Sequence, residues 1–460
     1  MSVRKRLNPL DWTFLAGENR EAMMHVGALM PFAPPAQARE GLLRELMDEV
    51  RQQARAYEPW NLKLRSPNFL ANPLQAWVED EDFDTEYHIR RSALPSPGDE
   101  RELGILVSRL HSHSLDFHRP PWEVHFIEGL EGGRFAIYFK VHHALIDGYT
   151  GIRLLASSMS RSAAELDTPM FFARRPGERA EKAASGTARA PTLEALLALA
   201  REQMGTSRSI GKALLNSFRS RDRQSLVAPM QAPKSVINQK ISRNRRFATQ
   251  QFPVDRLKAV AKAQGGTLND AVLALCGAAL RRLLSEQGAL PAQPLTAMLP
   301  VNIRPKDDPG GGNAVGAILA SLATDEADPV ERLRKIIAST GEAKAQLQGM
   351  SKAGIMQYSA LLMAPMLLAQ IPGAVGRVRP AFNLVISNVP GPTHAIYFRG
   401  FRMEAYYPLS IPMPGYGLNI TVVSYLDTLN FGFIGCRDNL PHLQRLAVYS
   451  REALEELEAA

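Results

Sequence analysis

Two strand-like runs, Trp122-Glu123-Val124-His125-Phe126-Ile127 and Phe135-Ala136-Ile137-Tyr138-Phe139-Lys140, flank Glu131-Gly132-Gly133, a pattern that predicts a β-hairpin. The second run continues into Val141-His142-His143-Ala144-Leu145-Ile146-Asp147-Gly148. Beyond Gly148, the residues Ile152, Leu154, Leu155 and Met159 recur at helical spacing. The hairpin therefore commits this part of the chain to a sheet with a helix against it. It also sets two adjacent histidines and an aspartate at the junction between strand and helix.

At 460 residues the chain exceeds one typical core, and two large α/β halves are expected. Residues 1–170 form the half that carries the histidines, 171–246 a linker with helices and a basic block, and 247–460 the second half. With 45% apolar and 22% charged residues, the composition is that of a folded protein with a large core. Cys276 falls in a helix-like run and Cys436 in a strand-like one, so neither a disulfide framework nor a paired-cysteine metal site is implied. The basic start Met1-Ser2-Val3-Arg4-Lys5-Arg6-Leu7 leads into Asn8-Pro9 and Asp11 instead of an apolar signal core, and a cytoplasmic setting is expected. Residues 201–250 hold eleven basic and two acidic residues, so this block alone exceeds the net charge of +8. Such a block attracts phosphates on a membrane surface or a nucleotide-bearing substrate. With only Phe218 and Phe247 as aromatics within it, nucleic acid is not the expected partner.

In chain order, the pattern predicts a strand from Met24 to Met30 stopped by Pro31, then a helix with Leu42, Leu43, Leu46, Met47 and Val50 on one face. Residues 57–84 read as loop, and a helix follows from Glu100 to His111. In the second half, helices are expected from Val254 to Ala263 and from Leu268 to about Gln287, with another over 328–348. Strands are expected from Leu295 to Val301, Ala314 to Ala323, Asn383 to Ser387, Leu418 to Tyr425 and Leu429 to Cys436, before a last helix from Leu440 to Leu457. The apolar stretch Ala360 to Ala369, broken by Pro365, falls short of the ~20 residues of a spanning helix.

The spacing of His143 and Asp147 fits one tight turn in which the carboxylate fixes local geometry while an imidazole faces a cleft. With an ordinary pKa near ~6.5, such an imidazole takes a proton from a hydroxyl at neutral pH. Competing chemistries are weaker. A metal site built from His142, His143 and Asp147 with His111, His113, His118 or His125 lacks a His-Glu-x-x-His helix or a cysteine cluster, and no metal is expected. Gly-x-Ser-x-Gly does not occur. His142 to Asp147 satisfies the His-x-x-x-x-Asp pattern of glycerolipid acyltransferases, which the chain resembles in nothing else.

Four motifs in order, Pro120-Pro121-Trp122, His142 to Gly148, Asn269-Asp270 and Asn388-Val389-Pro390, resemble those of bacterial wax ester synthase/acyl-CoA:diacylglycerol acyltransferases over nearly the full chain. That family lies in the wider superfamily of chloramphenicol acetyltransferase. Pro121 departs from the usual Pro-Leu-Trp but leaves Trp122 in place. The resemblance implies two chloramphenicol acetyltransferase-like domains, each a mixed sheet flanked by helices, with the active site in a tunnel between them. It implies that His143 deprotonates a long-chain alcohol or diacylglycerol, which attacks acyl-CoA directly. Asp147 would orient the loop by pairing with a basic residue, His142 would support, and Asn269 would steady an oxyanion unless, with Asp270, it merely caps a helix. Gly148 would let the chain turn closely into the helix. Trp122, Asp270 and Asn388 are carried over as substrate-side residues, with core packing the simpler role for Trp122, while Gly354 and Ala360 are expected to line the tunnel. Acyl-CoA is expected as substrate with no cofactor, and peripheral association with the inner membrane or lipid droplets is expected. The same superfamily leaves open a condensation-domain-like or glycolipid acyltransferase and a non-catalytic lipid-binding homologue.

Overall fold

A computed structural model describes the chain apart from residues 1–2, 8, 36–40, 53–54, 68–74, 175–226, 228–229, 303–314, 349, 351–353, 356, 360, 363–374 and 376–378. Most of the basic block and of the apolar stretch after Ala360 thus lies outside the described residues.

The predicted hairpin forms as β6 (Trp122–Glu128) and β7 (Phe135–His142), antiparallel in the register Trp122 to Val141 and Ile127 to Ala136. Gly132 and Gly133 make the turn at φ of 72° and 69°, a region open to glycine at little cost. β2 (His25–Ala33) pairs on the far side of β7 and β5 (Ile89–Ala93) on the far side of β6. Pro31 does not stop β2. It pairs across from Ala136 within the strand, and on the other side it stands between the stretches of β2 engaged by two short partner strands, where its missing N–H goes unused. The 57–84 region, expected as loop, contributes β3 (Leu62–Leu64) and β4 (Ala76–Glu79), which form a small sheet with β1 (Val3–Arg6), and it leads into the short α3 (Thr85–His88). Helices α1 (Pro9–Gly17), α2 (Leu42–Gln52), α4 (Glu100–His111) and α5 (Gly148–Ser157) complete this half.

The second sheet runs in the order β10-β9-β11-β15-β16-β8, where β8 is Arg245–Pro253, β9 Thr296–Asn302, β10 Val315–Ser321, β11 Leu384–Val389, β15 Leu418–Tyr425 and β16 Thr428–Cys436. β11 runs parallel to both of its neighbours, β9 and β15, and the other pairs are antiparallel. Helices α6 (Val254–Ala263), α7 (Leu268–Glu286), α8 (Pro329–Gln348) and α9 (Arg445–Ala459) supply the partner faces. The two sheets with their helices give the expected α/β architecture. Three short strands of the later sequence, β12 (Tyr397–Phe398), β13 (Phe401–Met403) and β14 (Tyr407–Leu409), cross over and extend the first sheet, with β13 and β14 both hydrogen-bonded to β2.

Apolar packing also joins the halves. Leu103, Leu106 and Val107 of α4 share a buried cluster with Leu29, Tyr138, Phe247, Leu409 and Ile434. Ser108 of α4 and Ser112 at its C-terminal cap accept the N–H groups of Phe247 and Arg245 on β8, at 2.9 and 2.8 Å. No helix among the described residues is long and apolar enough to cross a membrane.

Candidate active site

The end of β7 is fixed by backbone bonds before any side chain acts. The His142 N–H donates to the carbonyl of Pro121 and the His143 N–H to that of Met24, both at 2.9 Å. Pro121 and Met24 lie on opposite sides of β7, so the strand is held at the point where it leaves the sheet. The carbonyl of His142 then accepts from Leu145 and Ile146, closing a turn that delivers Asp147 to the start of α5.

Asp147 is the cap of that helix. Its carboxylate accepts from the Thr150 N–H at 2.9 Å and from the Thr150 hydroxyl at 2.8 Å, which satisfies an amide left free at a helix start. Among the described residues no basic side chain pairs with it, so its ordering role works through capping and not through the expected ion pair. Gly148 is likewise not a forced turn. Its φ lies outside the left-handed region, and a Cβ there would meet nothing within 4 Å. The missing side chain keeps the first turn of α5 open on the cavity side.

The two histidines diverge. His142 is buried, with Phe117 edge-on at 5.1 Å. Its Nδ1 accepts from the Ala144 N–H at 3.2 Å, which places the proton on Nε2, 3.5 Å from Glu18 Oε2. The same Glu18 oxygen accepts the Met24 N–H, so one carboxylate braces both His142 and the segment that holds His143. That segment is tied in turn to the second half, because buried Arg245 donates Nη2 to the Glu21 carbonyl at 2.7 Å. Burial pushes the Arg245 guanidinium down to about 10.

His143 is partly exposed and stacks on Phe14 of α1, with ring centroids 4.0 Å apart. Nδ1 is buried without a well-formed hydrogen bond, which leaves Nε2 as the ring nitrogen to face the cavity that His143 lines. Burial, opposed by Asp147 and reinforced by His142, pushes its pKa down to about 4. The imidazole is therefore neutral at pH 7 and free to accept a proton.

His143, Asp147 and Gly148 line a cavity of about 520 Å³ between the two sheets. One wall comes from β2, β7, β14 and α5, and the facing wall from β9, β11 and β15. Asn388 stands on this second wall, at the end of β11. The turn beyond it depends on Gly391, where a Cβ would sit 2.1 Å from the carbonyl oxygen of Ser424 and whose N–H donates to the Ser424 hydroxyl. Ser387, Ser410, Asn419 and Thr421 add polar groups, and among the described residues no hydroxyl is hydrogen-bonded to His143.

Other residues expected at the site lie elsewhere. Trp122 is fully buried, donates its indole N–H to the Trp60 carbonyl at 2.7 Å and packs among His88, Phe171 and Phe172. It is a core residue. Asp270 accepts from the Thr267 N–H and hydroxyl, both at 2.7 Å, and from the Thr340 hydroxyl at 2.6 Å, so it caps α7 and ties it to α8. Asn269 beside it does not line the cavity, which leaves the expected oxyanion role without geometric support. Gly354 is buried away from the cavity lining, and Ala360 lies outside the described residues.

Phe14, Glu18, Asn419 and Thr421 are the site residues that sequence reasoning passed over. Signals for them exist. Asn8-Pro9 with Asp11 is a helix start that announces α1, and the alternation of Asn419 and Thr421 with Leu418, Ile420 and Val422 marks a polar face on β15.

Residues 7–272 match the wax ester synthase/diacylglycerol acyltransferase catalytic domain, and residues 311–458 the C-terminal domain of the same family. A Mycobacterium tuberculosis protein assigned as a diacylglycerol O-acyltransferase is 52% identical, over 99% of this chain and 97% of its own. The solved wax ester synthase/diacylglycerol acyltransferase from Marinobacter aquaeolei VT8 is 38% identical with a TM-score of 0.77, covering 99% of each chain. The first condensation domain of the calcium-dependent antibiotic synthetase, 17% identical, shares the fold with a TM-score of 0.57 over 100% of this chain and 96% of its own. With both domains matched and full-length relatives at this identity, the chain belongs to the wax ester synthase/diacylglycerol acyltransferase family.

Proposed function

We propose that this chain transfers a long-chain acyl group from acyl-CoA to the hydroxyl of a fatty alcohol or a diacylglycerol, with His143 as the general base and no covalent acyl-enzyme. The coarser statement, an acyl-CoA-dependent O-acyltransferase, follows from full-length relatives named for that activity. The observation that carries the finer reading is His143 on the wall of an inter-sheet cavity, with its Nδ1 buried and no hydroxyl among the described residues bonded to the ring.

In this reading the acceptor O–H gives its proton to Nε2 as its oxygen bonds to the thioester carbon. The C–S bond then breaks, and the CoA thiolate recovers the proton from the imidazolium. Preorganised general-base catalysis of this kind contributes on the order of 10²–10⁴ in rate. Capping by Asp147 and bracing by Glu18 hold the base still while the second sheet supplies the other wall. Lipid acceptors imply work at a membrane or lipid-droplet surface, and binding to anionic liposomes that weakens with salt would support a role for the basic block.

The test is an ester assay with palmitoyl-CoA offered hexadecanol or dioleoylglycerol, together with intact-protein mass spectra after mixing with palmitoyl-CoA alone. Ester with one or both acceptors and an unmodified protein mass are expected. A stoichiometric palmitoyl adduct would overturn direct transfer, and no ester with either acceptor would overturn the acyl-transfer reading.

A further inference from the structure

With Asn269 away from the cavity, the charge that develops on the thioester carbonyl needs another donor. The start of α5 is a poor one, because the Asp147 carboxylate already occupies its free amide and repels an anion. The facing wall is better suited. In the parallel register of β11 and β15, Val385 lies beside Asn419 and Ser387 beside Thr421, and all four line the cavity. Asn419 is 5% exposed, and its Oδ1 accepts from the Thr421 hydroxyl at 2.9 Å. That bond fixes which way the amide points. It leaves the Nδ2 hydrogens without a partner among the described residues, on a residue that lines the cavity. Asn388 is exposed, no fixed partner orients the Ser387 hydroxyl, and the buried Thr421 hydroxyl spends its hydrogen on Asn419, so among the described residues of this wall Asn419 is the buried side chain that keeps a directed donor free.

We infer that the Asn419 amide, oriented by Thr421, is the hydrogen-bond donor to the acyl carbonyl oxygen during transfer. The assignment rests on the acyl-transfer reading. As the acceptor oxygen bonds to the carbonyl carbon, the C=O electron pair moves onto oxygen and Nδ2–H donates to it. The pair returns when the C–S bond breaks, and the thiolate leaves with the proton held by His143. A donor locked in a desolvated wall does not reorganise as charge appears, which is why such groups favour the transition state over the bound substrate. Asn419 is then a catalytic residue, and Thr421 is a positioning residue acting through it.

The experiment uses the full chain with palmitoyl-CoA and whichever acceptor the wild type esterifies, with melting temperature as the fold control. Asn419→Asp keeps the shape and the Thr421 bond but replaces the donor by an acceptor. It should lower kcat by on the order of 100-fold or more, with KM for palmitoyl-CoA within about 3-fold. Thr421→Val should lower kcat by about tenfold, and Thr421→Ser, which restores the hydroxyl, should recover most of that loss. A folded Asn419→Asp with kcat within about 3-fold of wild type, or with its loss entirely in KM, would overturn the assignment. Should Asn419→Asp fail to fold, the Thr421 pair decides: rescue by Ser supports the assignment, and equal rates for Val and wild type overturn it. Absence of ester from the wild type would overturn the acyl-transfer reading itself and the assignment with it.

Discussion

At the scale of single residues, the division of labour between His142 and His143 follows from what each ring touches. His142 is buried, with Nδ1 on the Ala144 amide and Nε2 3.5 Å from Glu18, while His143 lines the cavity. Glu18 is the hinge of this arrangement because it also accepts the Met24 N–H, and the Met24 carbonyl holds His143. Glu18→Gln keeps an acceptor but removes the charge, at a cost of about 1 kcal/mol in positioning. Steady-state kinetics should show kcat lowered by roughly five- to tenfold, with KM for palmitoyl-CoA little changed. An unchanged kcat would show that the carboxylate only holds the loop. The family resemblance singled out His143, whereas the local helix-start signal announces α1 without giving Glu18 or Phe14 a role. Their importance comes from contacts across more than a hundred residues of chain, which no local pattern records.

At the scale of elements, the strand, turn and helix around the histidines form one device. Asp147 belongs to it as a cap, so its loss acts through the helix start. Asp147→Ala should destabilise the protein by ~1 kcal/mol, and Asp147→Asn, which retains a side-chain oxygen that caps well, should recover most of that. Urea titrations of the two variants measure this directly, and equal destabilisation by both would show that the negative charge matters more than the cap. Most elements were legible from apolar pattern: α4 buries one face at helical spacing, while the hairpin strands, β15 and β16 are strand-like runs buried on both faces. α1 was missed because Leu10, Trp12, Phe14 and Leu15, interrupted by Asp11 and Thr13, show no clean helical period. β12 to β14 were missed because strands of two or three residues, one of them containing Pro408, hold no period at all. Trp122 was carried to the substrate side by its motif, although aromatic packing around it is explanation enough.

At the scale of the whole molecule, two α/β halves were readable from length and pattern, but their interlocking was not. The register of β14 on β2, with Tyr407 against Leu29, joins residues far apart in sequence, and the inter-sheet cavity exists only because of that closure. The same burial stores acid sensitivity. Burial holds His25 and His111 well below their ordinary value, His88 and His143 at about 4, and lowers His125. The unfolded chain, with its histidines near ~6.5, therefore binds more protons than the native state between those limits. The stability these groups contribute is present above about 6.5 and is lost as pH falls toward about 4. Urea midpoints at pH 7.5 and pH 5 should show a clear fall at the lower pH, and equal midpoints would contradict the neutral, buried state of these rings.

The central claim is that His143 does the chemistry from the wall of that cavity. It is tested most directly by the turnover of purified His143→Ala with palmitoyl-CoA and the acceptor the wild type uses, beside its circular dichroism. Loss of the base should lower kcat by on the order of 10²–10⁴ while the spectrum stays that of the wild type. A folded variant that retains more than about a tenth of wild-type turnover, a change worth less than ~1.4 kcal/mol in the barrier, would contradict it.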